Sequence, residues 1–248
     1  MPIDPIQVLQ AAQRPVSAGP LPPSLLVAGA TGALGNEVLR RLVGAQRFAP
    51  VQVLAGEPIQ AGLRGVQLLQ VAAGGAAHWP PAPAEAGLIM FEPPRLYHDR
   101  ERALWTPMPG QLVEVAAWMR RSGVRTLAVV LPHAQGRLPE ALKRGLASLD
   151  EQAVAALGFE RLLIVRSAGE PAARTASGLL PRVAAWMLSV FSYMVPSSEQ
   201  PVRAAKVAEL VDAALQLAPP GIHIAAPELV WRAAQGDVRG VAAQWLRP

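Results

Sequence analysis

The sequence predicts an α/β chain built on a doubly wound parallel sheet, with a small C-terminal helical lobe. Short apolar runs alternate with amphipathic stretches over most of the 248 residues. The first run, Leu25-Leu26-Val27-Ala28, is apolar on every residue, the pattern of a strand covered on both faces. The connections between the runs are long enough for right-handed crossovers joining parallel neighbours. With 51% hydrophobic and 17% charged residues, the chain has material for one large core and lacks the composition of disorder.

The elements follow in order. Residues 1–23 carry six prolines and are expected to form an extended arm. A secretory leader is not expected there, because Asp4 and the prolines interrupt any apolar core. Residues 24–248 then form one domain, of which 171–248 are the C-terminal lobe. Leu25-Leu26-Val27-Ala28 reads as the first strand, and 36–43 as a helix with Val38, Leu39, Leu42 and Val43 on one face. Further strands are expected at 51–54, 66–69, 88–91, 127–131, 162–165 and 222–224. Helices are expected at 111–121, 142–157, 179–194 and 203–217. Residues 72–86, rich in Ala, Gly and Pro, read as a loop in a helix's place.

The strongest functional signal is Gly29-Ala30-Thr31-Gly32-Ala33-Leu34-Gly35, directly after a strand and opening a helix. Gly29 permits the tight turn, Gly32 lets the backbone approach a diphosphate, and Gly35 lets the helix pack on the sheet. Free N–H groups and the helix dipole would then hold the anion. This is the Rossmann-type dinucleotide turn. It makes Gly29, Thr31, Gly32, Ala33, Leu34 and Gly35 the expected cofactor-binding residues, and NAD or NADP the expected cofactor.

From Val27 to Gly35, and in the strand–helix order ending on Ala156-Leu157-Gly158-Phe159 before an apolar strand, the chain resembles the atypical short-chain dehydrogenase/reductase superfamily. Within it, the chain is similar to the groups of the Tat-interacting oxidoreductase-like protein and the NmrA-like regulators. The likeness spans about residues 24–230. It implies a dinucleotide at the carboxyl edge of the sheet and a pocket completed by the C-terminal lobe.

The residue closing the second strand meets the adenosine ribose: an acid accepts from the 2′-hydroxyl of NAD, an arginine accommodates the 2′-phosphate of NADP. Glu57 stands here, which favours NAD, although Arg64 is near enough in sequence to serve NADP. The resemblance also implies an Asp after the third strand, against the adenine. This chain has Gln70-Val71-Ala72-Ala73 instead.

Reductases of this type use a Tyr, a Lys four residues on, and a Ser near the end of the fifth strand, to protonate and orient a carbonyl. Here Leu131-Pro132-His133 replaces the serine, while Lys143 and Ala147 take the Tyr and Lys positions. The tyrosines, Tyr97 and Tyr193, are followed four residues later by Glu101 and Ser197. His133 and Lys143 are the substitute candidates for an acid, against a plainer reading as a strand-end and a solvated helix residue. Tyr97, His98, Asp99 and Arg100 form a polar cluster that reads as a pocket wall or a surface loop.

Other classes find little support. Without cysteine there is no disulfide framework, thiolate metal site or thiol nucleophile. The four histidines are far apart, so no metal site is expected. A charge of +5 invites nucleic acid, but the arginines are scattered and no nucleic-acid partner is expected. No apolar run is long enough for a transmembrane helix, and the expected location is the cytoplasm. The apolar helix at 179–194 reads as a buried roof, a homo-oligomer contact or, less well, a membrane-surface patch. Three functional readings remain: a regulatory or non-catalytic dinucleotide binder, an oxidoreductase or epimerase-like enzyme with a non-standard acid, and an interaction protein with an empty pocket.

Overall fold

The computed structural model describes residues 22–58, 65–72, 74–95, 98–132, 148–167 and 202–247. The arm at 1–21, Arg64, Tyr97, His133, Lys143 and the helix expected at 179–194 lie outside the described residues.

Seven strands form one parallel sheet: β1 (Leu25–Ala28), β2 (Val51–Ala55), β3 (Val66–Gln70), β4 (Ala86–Met90), β5 (Thr126–Pro132), β6 (Arg161–Ser167) and β7 (Gly221–Ala225). Their order is β3-β2-β1-β4-β5-β6-β7. The chain starts in the middle, winds outward through β2 and β3, then crosses back to β4 and winds the other way. This is the Rossmann-type doubly wound order, and it places the topological switch point between β1 and β4. Val27 pairs with Val53 on one side and Leu88 on the other, so β1 is central, and all four of its residues are buried.

Among the described residues, seven helices flank the sheet: α1 (Gly32–Gly44), α2 (Asp99–Ala103), α3 (Leu112–Arg121), α4 (Leu149–Ala156), α5 (Ala204–Leu217), α6 (Pro227–Ala234) and α7 (Val238–Trp245). In α1, Gly35, Val38, Leu39 and Leu42 are buried, the i, i+3, i+4, i+7 stripe of a helix lying on a sheet. In α3 the same spacing buries Leu112, Val115, Ala116 and Met119. Two apolar clusters result, one on each face. The first joins α1, α5, α6 and α7 to Leu25, Val27, Leu88 and Leu163. The second joins α3 and α4 to Leu26, Ile89, Leu127 and Ile164, with Trp79 and Trp118 between them.

The described C-terminal residues, 202–247, are thus mostly helical and add an edge strand to the sheet. A buried carboxylate fixes it in place: Asp212 on α5 accepts from Arg41 Nε (3.0 Å) and Arg47 Nη1 (2.6 Å), at and beyond the end of α1. Between β3 and β4, where the crossover would ordinarily carry a helix, the described residues form only one tight turn, Ala76–His78. Among the described residues, no helix is long and apolar enough to cross a membrane.

Candidate functional site

At the switch point, β1 ends at Ala28 and the chain turns through Gly29 and Gly32 with φ of +77° and +71°. Side chains rarely accept such a backbone. At Gly29 a Cβ would stand 2.0 Å from the carbonyl oxygen of Met90 on β4. At Gly35 it would stand 2.6 Å from the carbonyl carbon of Ala30. Gly29 thus lies against β4 and Gly35 against the backbone of the turn itself, each closer than a side chain allows.

The amides at the head of α1 are not bare. Gly32 N–H donates to Glu101 Oε2 (3.0 Å) and Leu34 N–H to Glu92 Oε2 (2.6 Å). Asn36 Nδ2 reinforces the first contact, donating to Glu101 Oε1 at 2.8 Å. Thr31 precedes the helix without capping it through its side chain. Its hydroxyl donates instead to the carbonyl of Glu92 and lies 2.9 Å from Thr106 Oγ1. The expectation of free amides is corrected here: two carboxylates of the chain itself take the place of an anion, as the unsatisfied N–H groups and the dipole favour. Glu92 also fills the space beside Gly32, its Cδ 2.3 Å from where a Cβ would be.

Glu101 is only 4% exposed. Arg95 holds it through its backbone N–H (2.9 Å), its Nε (2.7 Å) and its Nη2. Burial alone would raise its carboxyl pKa. Hydrogen bonds from Arg95 and from the Gly32 amide overcome that and hold the pKa below the ordinary glutamate value. The folded chain therefore binds fewer protons here than the unfolded one. The contact stabilises fully above the ordinary value and is lost as pH falls through the lowered one. Below about pH 4.3, Glu101→Gln is expected to lose less thermal stability per pH unit than the parent. Superimposable acid limbs of the two melting curves would contradict this.

The same stretch of chain enters the sheet edge between β1 and β2. Trp105 N–H donates to Leu54 O (2.9 Å), and Trp105 O accepts from Gly29 N–H (3.1 Å). Ala103 O accepts from Gly56 N–H (2.9 Å) and Glu57 N–H (3.2 Å), and Leu104 makes an antiparallel bridge to Ala55. Leu104 packs against the first apolar cluster and Trp105 against the second. Trp105 lies edge-on to Trp79, ring centres 4.8 Å apart.

On the other side of the turn, a cavity of about 420 Å³ opens over the ends of β4, β5 and β6, with Leu34, Phe91, Glu92, Pro132, Ser167 and Arg203 among its walls. Ala33 and Leu34 thus face this cavity as well as the turn. Glu57 is exposed at the end of β2, and Gln70 is exposed where β3 stops beside it. Of the polar cluster, Asp99 and Arg100 are exposed on α2. His98 Nδ1 lies 4.0 Å from Glu101 Oε1. Among the described residues, no group of three or more His, Asp or Glu could hold a metal ion.

Glu92 and Glu101 are the site residues that sequence reasoning missed. The polar run beginning at Tyr97 pointed to the right neighbourhood, one residue short of Glu101. A single sequence gives no further signal, because these acids meet α1 across 58 and 69 residues of chain.

No protein-family model matches the chain, and no curated protein matches it in sequence. Solved structures match by shape. The triphenylmethane reductase of Citrobacter sp., complexed with NADP(H), is 15% identical, covering 77% of this chain and 65% of that one, with a TM-score of 0.42. The Bordetella bronchiseptica enzyme WbmG in complex with NAD is 14% identical, covering 88% and 79%, with a TM-score of 0.42. A Rossmann-fold NAD(P)-binding family protein from Shigella flexneri is 18% identical, covering 69% and 87%, with a TM-score of 0.36. This chain spans just under two thirds of the reductase. At these values the likeness adds nothing to the strand order, which itself shows the doubly wound Rossmann-type fold.

Proposed function

We propose that this chain is a dinucleotide-binding Rossmann protein of the short-chain dehydrogenase/reductase type that acts as a regulatory, non-catalytic binder of NAD. The observation that carries the reading is the place and chemistry of the glycine turn. It lies at the switch point between β1 and β4, where open α/β sheets take their ligands. Its amides already hold anionic oxygens, those of Glu92 and Glu101, so the chemistry suits a diphosphate. Glu57, exposed at the end of β2, would accept from a ribose 2′-hydroxyl and repel a 2′-phosphate.

The case against hydride transfer rests on the end of β5. Leu131 and Pro132 face the cavity there, and neither side chain can donate a hydrogen bond to a carbonyl. No tyrosine of the chain has a lysine four residues on. An oxidoreductase would have to recruit His133 or Lys143. The empty-pocket reading is favoured by one specific observation: the amides an anion needs are occupied.

Calorimetric titration with NAD(H) and NADP(H) tests the proposal, followed by a screen for hydride transfer at the nicotinamide absorbance band. The expected result is saturable binding, tighter for NAD(H), without turnover. Turnover abolished by His133→Ala would establish the oxidoreductase instead. No uptake of either dinucleotide at millimolar concentration would leave the interaction protein.

A further inference from the structure

We propose that Glu92, Glu101 and the backbone of Ala103, Leu104 and Trp105 form an internal plug that a dinucleotide must displace, so that binding is gated by the chain's own phosphate mimics. The inference rests on the dinucleotide-binding reading above and adds how that site is regulated.

The plug covers separate parts of one ligand path. At the diphosphate position, the Gly32 and Leu34 amides are each engaged by a carboxylate oxygen, and the Glu92 side chain fills the space that the small Gly32 leaves. At the adenosine position, the chain from Ala103 to Trp105 runs between the ends of β1 and β2. There it takes up the amides of Gly29, Gly56 and Glu57. A diphosphate arriving with both carboxylates in place meets like charges and finds no free amide at Gly32 or Leu34. Displacement therefore precedes or accompanies binding.

Besides its bonds to the turn, the plug is held by contacts outside it. Arg95 clamps Glu101 through the same two carboxylate oxygens. Leu104 and Trp105 anchor its backbone in the two apolar clusters. Lifting it exposes apolar surface and separates an ion pair, so the open form is a minority of the free protein. Apparent affinity is then the intrinsic affinity reduced by that fraction. Whatever engages Arg95, which is 46% exposed, would shift the fraction. An acidic group there would compete for the guanidinium and release Glu101.

The test compares the full chain with the double variant Glu92→Gln/Glu101→Gln, which keeps the shape and removes both charges. NADH, NADPH and inorganic pyrophosphate serve as the probes. The folded variant is expected to bind NADH about ten-fold or more tighter than the parent, with a parallel gain for pyrophosphate. Equal affinities in the two proteins would overturn the plug while leaving the dinucleotide-binding reading intact. Failure of both proteins to bind any probe at millimolar concentration would overturn that reading and the plug with it. Should the variant not fold, hydrogen exchange on the parent decides. Saturation with NADH should deprotect the amides of Trp105 and Gly56 while Gly32 and Leu34 remain protected. Unchanged protection at Trp105 and Gly56 would overturn the plug.

Discussion

Gly29→Ala is expected to destabilise the fold by about 3 kcal/mol or more and to lower the melting midpoint by roughly 10 °C. Two costs combine. A side chain at φ +77° costs about 1–2 kcal/mol in the left-handed region. The new methyl would also lie 2.0 Å from the Met90 carbonyl oxygen, a backbone atom in the next strand that cannot rotate away. Relief requires β1 and β4 to separate at the switch point. Gly32→Ala has a similar φ, but its methyl meets only the end of the Glu92 side chain, which can swing out. It should therefore cost less stability and should loosen the plug. Gly44→Ala, at the end of α1 with nothing within 4 Å, is the control and should leave the midpoint unchanged or slightly raised. Thermal unfolding of the three variants checks the ranking, and equal losses at Gly29 and Gly44 would contradict it.

Trp118→Ala is expected to cost about 3–5 kcal/mol. The Trp118 indole is fully buried. It donates from Nε1 to Pro80 O at 3.0 Å and stands edge-on to Trp79 with ring centres 5.3 Å apart. Removing it opens a cavity beside Trp79 in the second apolar cluster and takes the donor from the Pro80 carbonyl. Trp118→Phe keeps an aromatic ring and loses the hydrogen bond, so it should fall between the parent and the alanine variant. Because Trp79 also contacts Trp105, the loss should reach the plug and raise hydrogen exchange at the Trp105 amide. Urea unfolding supplies the stability, and a loss below about 1 kcal/mol would place Trp118 outside the core's essential packing.

The first strand was legible because it is buried on both faces and so apolar at every position. Strands β2 and β3, with Gln52 and Gln67 inside them, were legible from the apolar residues on either side. Each of the runs beginning at Leu25, Val51 and Val66 begins a strand where expected. Boundaries shifted by one or two residues where polar ends join the ladder, as Arg161 and Ser167 do in β6. The glycine turn was legible for a different reason: its backbone geometry excludes other residue types. Helices α6 and α7 were missed, although Pro227 at the first turn and Asp237 accepting from Arg239 N–H are proper start signals. Eight residues each gave too little periodicity to stand out. The plug was illegible because it is a tertiary arrangement. Nothing local distinguishes Glu101, beside the exposed Asp99 and Arg100, as the residue that turns inward.

The most direct test of the account follows the amide resonances of Gly32 and Leu34 by NMR as NADH is added. If the turn anchors a dinucleotide in place of its own carboxylates, both resonances move along one saturation curve matching NADH binding. If NADH saturates the protein while these two amides stay fixed, or if they stay fixed to millimolar NADH in both the parent and Glu92→Gln/Glu101→Gln, the glycine turn is not a dinucleotide site.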